Sequence, residues 1–174
     1  MAHGWRMTGT LAAITPIALV ACMASPGCTK PAAPAGHEIV EIDGRTFTLE
    51  VVADDETRTL GLGGRTEVAP DGGMLFSFPD SRLRQFIMRN CLVDIDIIFL
   101  DATGNITAMH HMPVEDPQTG DETDRAYEIR LKRYSSRFNA RYAIELQGGM
   151  LENLDLRVEQ TIDLPTKRLA EITR

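Results

Sequence analysis

Positive charge is in deficit: 18 Lys and Arg face 25 Asp and Glu across 174 residues, a formal net charge of −7. Nucleic-acid binding needs a basic stripe that displaces condensed counterions, and this balance speaks against it. It also speaks against broad adhesion to anionic lipid. Cysteine is scarce too, limited to Cys22, Cys28 and Cys91 with no CxxC pair, so neither a dithiol redox motif nor a zinc motif is present. The apolar run Leu11 to Ala21, interrupted by Pro16, falls short of the roughly 20 residues a membrane span requires. G-x-S-x-G, H-E-x-x-H, the P-loop and G-x-G-x-x-G are all missing, which removes the specific sequence arguments for an enzyme. There are no internal repeats.

What is present begins with an export signal. Arg6 gives the positive n-region, residues 11–21 the apolar h-region, and no acid precedes Glu38. Leu19-Val20-Ala21-Cys22 reads as a bacterial lipobox, with cleavage before Cys22 and acylation of its thiol. The expected result is an extracytoplasmic lipoprotein held on the bilayer through Cys22 without a spanning helix. The alternative is plain secretion as a soluble periplasmic protein, with cleavage near Ala24 or Gly27. Removing residues 1–21 takes away Arg6 and no acid, so −7 becomes −8. Residues 22–36, rich in Pro and Ala, read as a linker. One domain is expected over 37–164, followed by a charged tail over 165–174. Cys28 and Cys91 could pair in an oxidising compartment, although a buried free thiol at Cys91 is the simpler expectation.

Within the domain, 38–42 and 45–52 read as a hairpin around Asp43-Gly44, the favoured two-residue turn. Phe47, Leu49 and Val51 alternate with polar residues, the period of a half-buried strand. Asp54 or Asp55 caps a short helix running to about Leu62. Strands are expected over 74–78, at an edge over 85–89, centrally over 95–100, and over 106–112, 140–146 and 158–164. Tyr127, Leu131 and Tyr134 share one helical face over 124–134, with acids leading and bases trailing. Met150 to Leu154 reads as one helical turn. The expected class is mainly β (α+β): a compact antiparallel, barrel-like domain with two short helices.

The run from Gly73 to Asp101, GMLFSFPDSRLRQFIMRNCLVDIDIIFLD, resembles the domain of unknown function 192 family. The family's usual order is GMLF, then Phe-Trp-Met-Lys-Asn-Thr, then Pro-Leu-Asp-Ile-Ile-Phe. Matching positions include Gly61, Leu62, Arg65, Gly73 to Phe76, Phe78, Phe86, Met88, Asn90, Asp96 and Phe99, with Tyr142 to Leu146 further on. Arg89 stands for the usual lysine, Ile87 for the tryptophan, Cys91 for the threonine and Asp94 for the proline. Nothing in the resemblance implies a reaction.

Arg65, Met88, Arg89, Asn90 and Asp96 are therefore the candidate ligand-binding residues. A buried Asp96 needs a partner, and an arginine beside an amide suits an anionic group. The structural alternative pairs Arg65 or Arg89 with Asp96 to fix a loop. Met109-His110-His111-Met112 raises a copper reading, because sulfur and imidazole suit that metal. On a strand, however, His110 and His111 face opposite ways, which leaves only His110 with Met112 and a distant ligand. A surface histidine and core neighbours are the plainer expectation. No cofactor is implied. The leading function is non-catalytic binding of a small polar ligand or an envelope protein. The alternative is a small hydrolase or isomerase using Asp96 as base beside Arg65 and Arg89.

Overall fold

The computed structural model describes Met1, His3, Gly4 and residues 32–174. The apolar run of the leader, the lipobox with Cys22, and Cys28 lie outside the described residues. The chain divides into two units, Met1–Lys30 and Pro31–Arg174; the described elements belong to the second. Among the described residues no helix is long and apolar enough to cross a membrane.

The first hairpin forms where its turn chemistry places it. β1 (His37–Ile42) and β2 (Arg45–Val52) meet through Asp43 and Gly44, both with positive φ (49° and 70°), as a tight two-residue turn demands. α1 (Asp55–Leu60) is capped by Asp54, whose side chain accepts from the Thr57 amide at 2.9 Å, and it ends at Gly61 with φ 52°. β3 (Gly72–Phe86), β4 (Ile95–Leu100), β5 (Ile106–Met112), α2 (Asp124–Arg130) and β6 (Tyr134–Gln147) follow. A 3₁₀ turn at Leu151–Asn153 and α3 (Thr166–Ile172) complete the unit.

The strands make one sheet in the order β1-β2-β3-β6-β4-β5. The expected α+β, mainly β class holds, with two corrections. β2 and β3 run parallel, joined through α1, and the sheet stays open instead of closing as a barrel. β3 and β6 pair along two stretches separated by register shifts between Ser77/Arg82 and Leu83/Gln85. Pro79 falls in that gap, where its missing N–H breaks no ladder. The two short strands expected around residues 74–78 and 85–89 are thus one long bent strand, and Arg89 sits past its end.

Both faces of the sheet are buried. Ile98 and Leu100 of β4 join Leu75, Tyr142, Ile144 and Leu146 in one core, while Ile95, Ile97 and Phe99 join Met74, Phe76 and Ala143 in the other. A strand covered on both sides loses its polar alternation, which explains the near-continuous apolar run of β4.

Three local expectations are corrected. The 124–134 helix stops at Arg130, because Tyr134 pairs with Phe86 as the start of β6. Residues 158–164 form no strand; Thr161 makes a single bridge to Asn105, while Ile162 and Leu164 fill the first core. The supposed tail folds as α3. Leu169 is fully buried, Arg168 lies 3.0 Å from Glu38, and the Arg174 amide donates to Ala53 O at 2.8 Å.

Candidate functional site

The five candidate ligand-binding residues do not converge. Arg65 grips Glu50 with two parallel bonds of 2.5 and 2.6 Å, which hold that carboxyl below its ordinary range. Arg89 donates to Glu128 at 2.8 Å and to Thr59 O at 3.2 Å. Asn90, at φ 56°, donates its amide to the Tyr127 hydroxyl and accepts from the Gly64 amide. Met88 is packed in the second core.

Asp96 is fully buried, and neither arginine is its partner. Its oxygens meet His111 Nδ1 at 2.7 Å and the Leu151 amide at 2.6 Å. Sealed this way, Asp96 ties β5 and the 3₁₀ turn to β4 and opens into none of the clefts described here. The strand alternation of the two histidines is observed. His111 faces Asp96, whereas His110 Nε2 lies 2.7 Å from Ser135 O, between the rings of Phe99 and Tyr134. Met112 belongs to the second core.

A cleft of about 600 Å³ opens over the second core, between α1, the far half of β3 and α2. Of the five candidates, only Arg89 lines it. Its floor is aromatic: Phe76 stands edge-on to Phe86 at 5.1 Å, and Phe78 lies 6.4 Å from Phe76. Arg84 stacks 3.9 Å over Phe78, with Arg58 at 5.5 Å over the same ring. Arg84 is itself buried (7% exposed). It bonds to Asp80 through Nη2 and to Ala140 O through Nε. Burial pushes its pKa below the ordinary value, and Asp80 pulls it back. Ile87 and Cys91 complete the apolar wall. Cys91 is a free, half-buried thiol, pushed up to about 12 by desolvation and by Glu145, so it stays protonated and is a poor nucleophile.

Glu145 lies in the cleft wall and is the anomalous residue. It sits on β6 between Met74 of β3 and Ile97 of β4, and it is 6% exposed. Its Oε2 is buried without a hydrogen-bond partner among the described residues. Desolvation pushes its pKa up to about 8, outweighing the Leu62 amide and the Arg65 charge, which pull down. The side chain is therefore a neutral acid at pH 7, with one O–H to donate. The backbone around it depends on glycine. A Cβ on Gly73, at φ 147°, would stand 2.3 Å from Glu145 O, and one on Gly61 would come within 3.8 Å of Oε2.

The sequence did carry a signal for Glu145. Tyr142, Ile144 and Leu146 alternate on one face of β6, which sends Glu145 to the other. That face reads as solvent-exposed unless the sheet is known to be covered on both sides.

The DUF192 family model, described as "uncharacterized ACR", matches residues 38–164. None of the curated proteins matches the chain. A Sinorhizobium meliloti 1021 crystal structure, described as a candidate transcription regulator, is similar with 27% identity and a TM-score of 0.60, over 77% of this chain and 97% of that one. A protein of unknown function from Novosphingobium aromaticivorans DSM 12444 is similar with 19% identity and a TM-score of 0.62, over 79% of this chain and 94% of that one. The second likeness concerns the fold alone.

Proposed function

The chain belongs to the DUF192 family, and we propose that it is an exported, lipid-anchored module that binds a small polar ligand in the Glu145 cleft without chemistry of its own. The observation that carries this reading is Glu145: a buried acid in the wall of a cleft with an aromatic floor, whose Oε2 has no partner among the described residues. A buried polar atom without a partner costs stability, and a ligand that accepts a hydrogen bond from it removes that cost. The residues that carry the family resemblance support the same place, since Gly61, Phe76, Phe78, Phe86 and Arg89 line the cleft.

Catalysis through Asp96 with Arg65 and Arg89 has no geometric support, because Asp96 is sealed by His111 and Leu151 while the arginines hold other acids. The regulator description of the Sinorhizobium neighbour does not carry over either, given a net charge of −7.

Native mass spectrometry of the full-length protein, purified without added ligand, should show a small non-covalent adduct. Ile87→Trp, which places the family's usual residue in the cleft wall, should weaken or expel it. An adduct untouched by Ile87→Trp refutes the cleft as its site. For the anchor, Cys22→Ser should move the protein from the membrane fraction to the soluble one with its folding unchanged; equal membrane retention refutes the lipoprotein reading.

A further inference from the structure

We propose that the ligand of this cleft is a small organic monoanion: a carboxylate on an apolar, ring-sized body, with a neutral hydrogen-bond acceptor remote from the carboxylate. This rests on the binding reading above and narrows it to a chemical class. The cleft is lined by four cations, Arg58, Arg82, Arg84 and Arg89, and by the acids Asp55, Asp80, Glu128 and Glu145. Asp55 pairs with Arg58, Asp80 with Arg84 and Arg82, and Glu128 with Arg89. Among the described residues Glu145 pairs with none of these arginines, and on the buried Arg84 the ion pair leaves Nη1 without a protein partner. A single carboxylate matches that open position.

Arg84 receives that anion. Asp80 and Ala140 O occupy its Nη2 and Nε, and Nη1 has no partner among the described residues. Its guanidinium is stacked on Phe78 and nearly buried, so it is already ordered and partly stripped of water. A carboxylate gains most from such a group, since the ordering and desolvation have already been met by folding. Arg58 cannot serve equally. Its terminal nitrogens donate to Ser77 O, Asp55 and Arg174 O.

Between Arg84 and Glu145 run Phe78 and Phe76, whose ring centres are 6.4 Å apart and 15° from parallel. This stretch offers aromatic surface, which suits a ring or a short apolar body. At the far end Oε2 of Glu145 needs an acceptor. A second carboxylate there would be poorly received, because it would bring a negative charge into a desolvated position whose own acid stays neutral.

The test uses 4-acetylbenzoate, which has the carboxylate, the ring and a remote carbonyl. Two companions each lack one feature: 4-acetylbenzamide has no charge, and 4-ethylbenzoate has no acceptor. Titrations into ¹⁵N-labelled full-length protein at pH 7 in detergent should shift the amides of Gly61, Phe86 and Cys91 for 4-acetylbenzoate. Affinity should fall about ten-fold or more for the amide and several-fold for the ethyl compound. Arg84→Met should bring the acid down to the level of the amide. Should that variant fold poorly, the comparison of probes on the wild-type protein still decides the matter. If the amide binds in the cleft as tightly as the acid, the monoanion class is wrong and the binding reading survives. If none of the three shifts a cleft amide at millimolar concentration, the monoanion class is refuted. If the purified protein then also carries no adduct, the binding reading falls with it.

Discussion

Replacing Glu145 by Gln should make the protein more stable at neutral pH, and by an amount that grows with pH. In the folded chain the carboxyl is pushed up to about 8, against an ordinary 4.5. Below pH 4.5 both folded and unfolded chains hold the proton, so the residue adds no pH dependence. Between 4.5 and 8 the unfolded chain releases it while the folded chain keeps it. Stability then falls with rising pH by about 1.4 kcal/mol per unit. At pH 7 that is 2.5 units, or about 3 kcal/mol; above pH 8 the loss levels off near 5 kcal/mol at most. Glutamine has nothing to ionise and keeps nearly the same shape. The stability difference between Glu145→Gln and wild type should therefore rise by about 3 kcal/mol between pH 4 and pH 7, and further by pH 8.5. Urea unfolding followed by circular dichroism at pH 4, 5.5, 7 and 8.5 measures it, and other titrating groups cancel in the difference. Parallel stability curves for the two proteins across that range would refute the neutral, unpartnered acid and the ligand argument built on it.

Asp96→Asn should cost about 3 kcal/mol, because a single amide oxygen cannot accept from both the Leu151 N–H and His111 Nδ1 in this buried site. Asp94→Asn, at a half-exposed carboxylate 3.8 Å from His111 Nε2, should cost under about 1. Denaturant midpoints separate the two, and comparable small effects would place Asp96 in water. Combined with His111→Ala, the Asp96→Asn effect should be less than additive. Leu169→Ala should cost about 2–4 kcal/mol, since Leu169 is fully buried in the first core; a change within about 0.5 would show that α3 is not part of the fold.

Local chemistry in the sequence was a reliable guide, and long-range chemistry was not. Asp43-Gly44, the Asp54 cap and the apolar β4 run each depend on residues within a few positions of one another, and each is where it was expected. The failures share a cause. β3 reads as two fragments because Pro79 and the polar stretch after it look like a turn, and β6 reads as its second half alone; only their mutual pairing shows two long strands that bend together. Tyr134 follows the helical period of Tyr127 and Leu131, but the edge of β3 claims it for the sheet. The 165–174 segment carries four charges in ten residues, and its docking rests on Leu169 and on hydrogen bonds to residues more than 90 positions away. The sequence marks Asp96 as a buried acid needing a partner, which it is. Its own neighbourhood in the sequence points to arginines, while β5 brings His111 opposite it by register. Glu145 needed knowledge of both sheet faces at once.

The arrangement around Glu145 also explains why its charge is left unmatched. Arg65 is close enough to pull the Glu145 pKa down, and a freely moving guanidinium there would pair with the carboxylate and keep it ionised. Glu50 prevents this by taking both terminal nitrogens of Arg65 in a fork with two short bonds. A bidentate pair fixes the guanidinium plane, so it cannot swing toward β6 without losing two bonds to gain others. An ion pair between Glu50 of β2, two strands away, and Arg65 in the connection from α1 to β3 thus keeps that guanidinium off Glu145. A core built for stability alone would place leucine here, as on the other face of the same strand at Leu146. An acid retained in a wall of the cleft, with the nearest cation held away from it, fits a position whose remaining hydrogen bond is completed by something outside the chain.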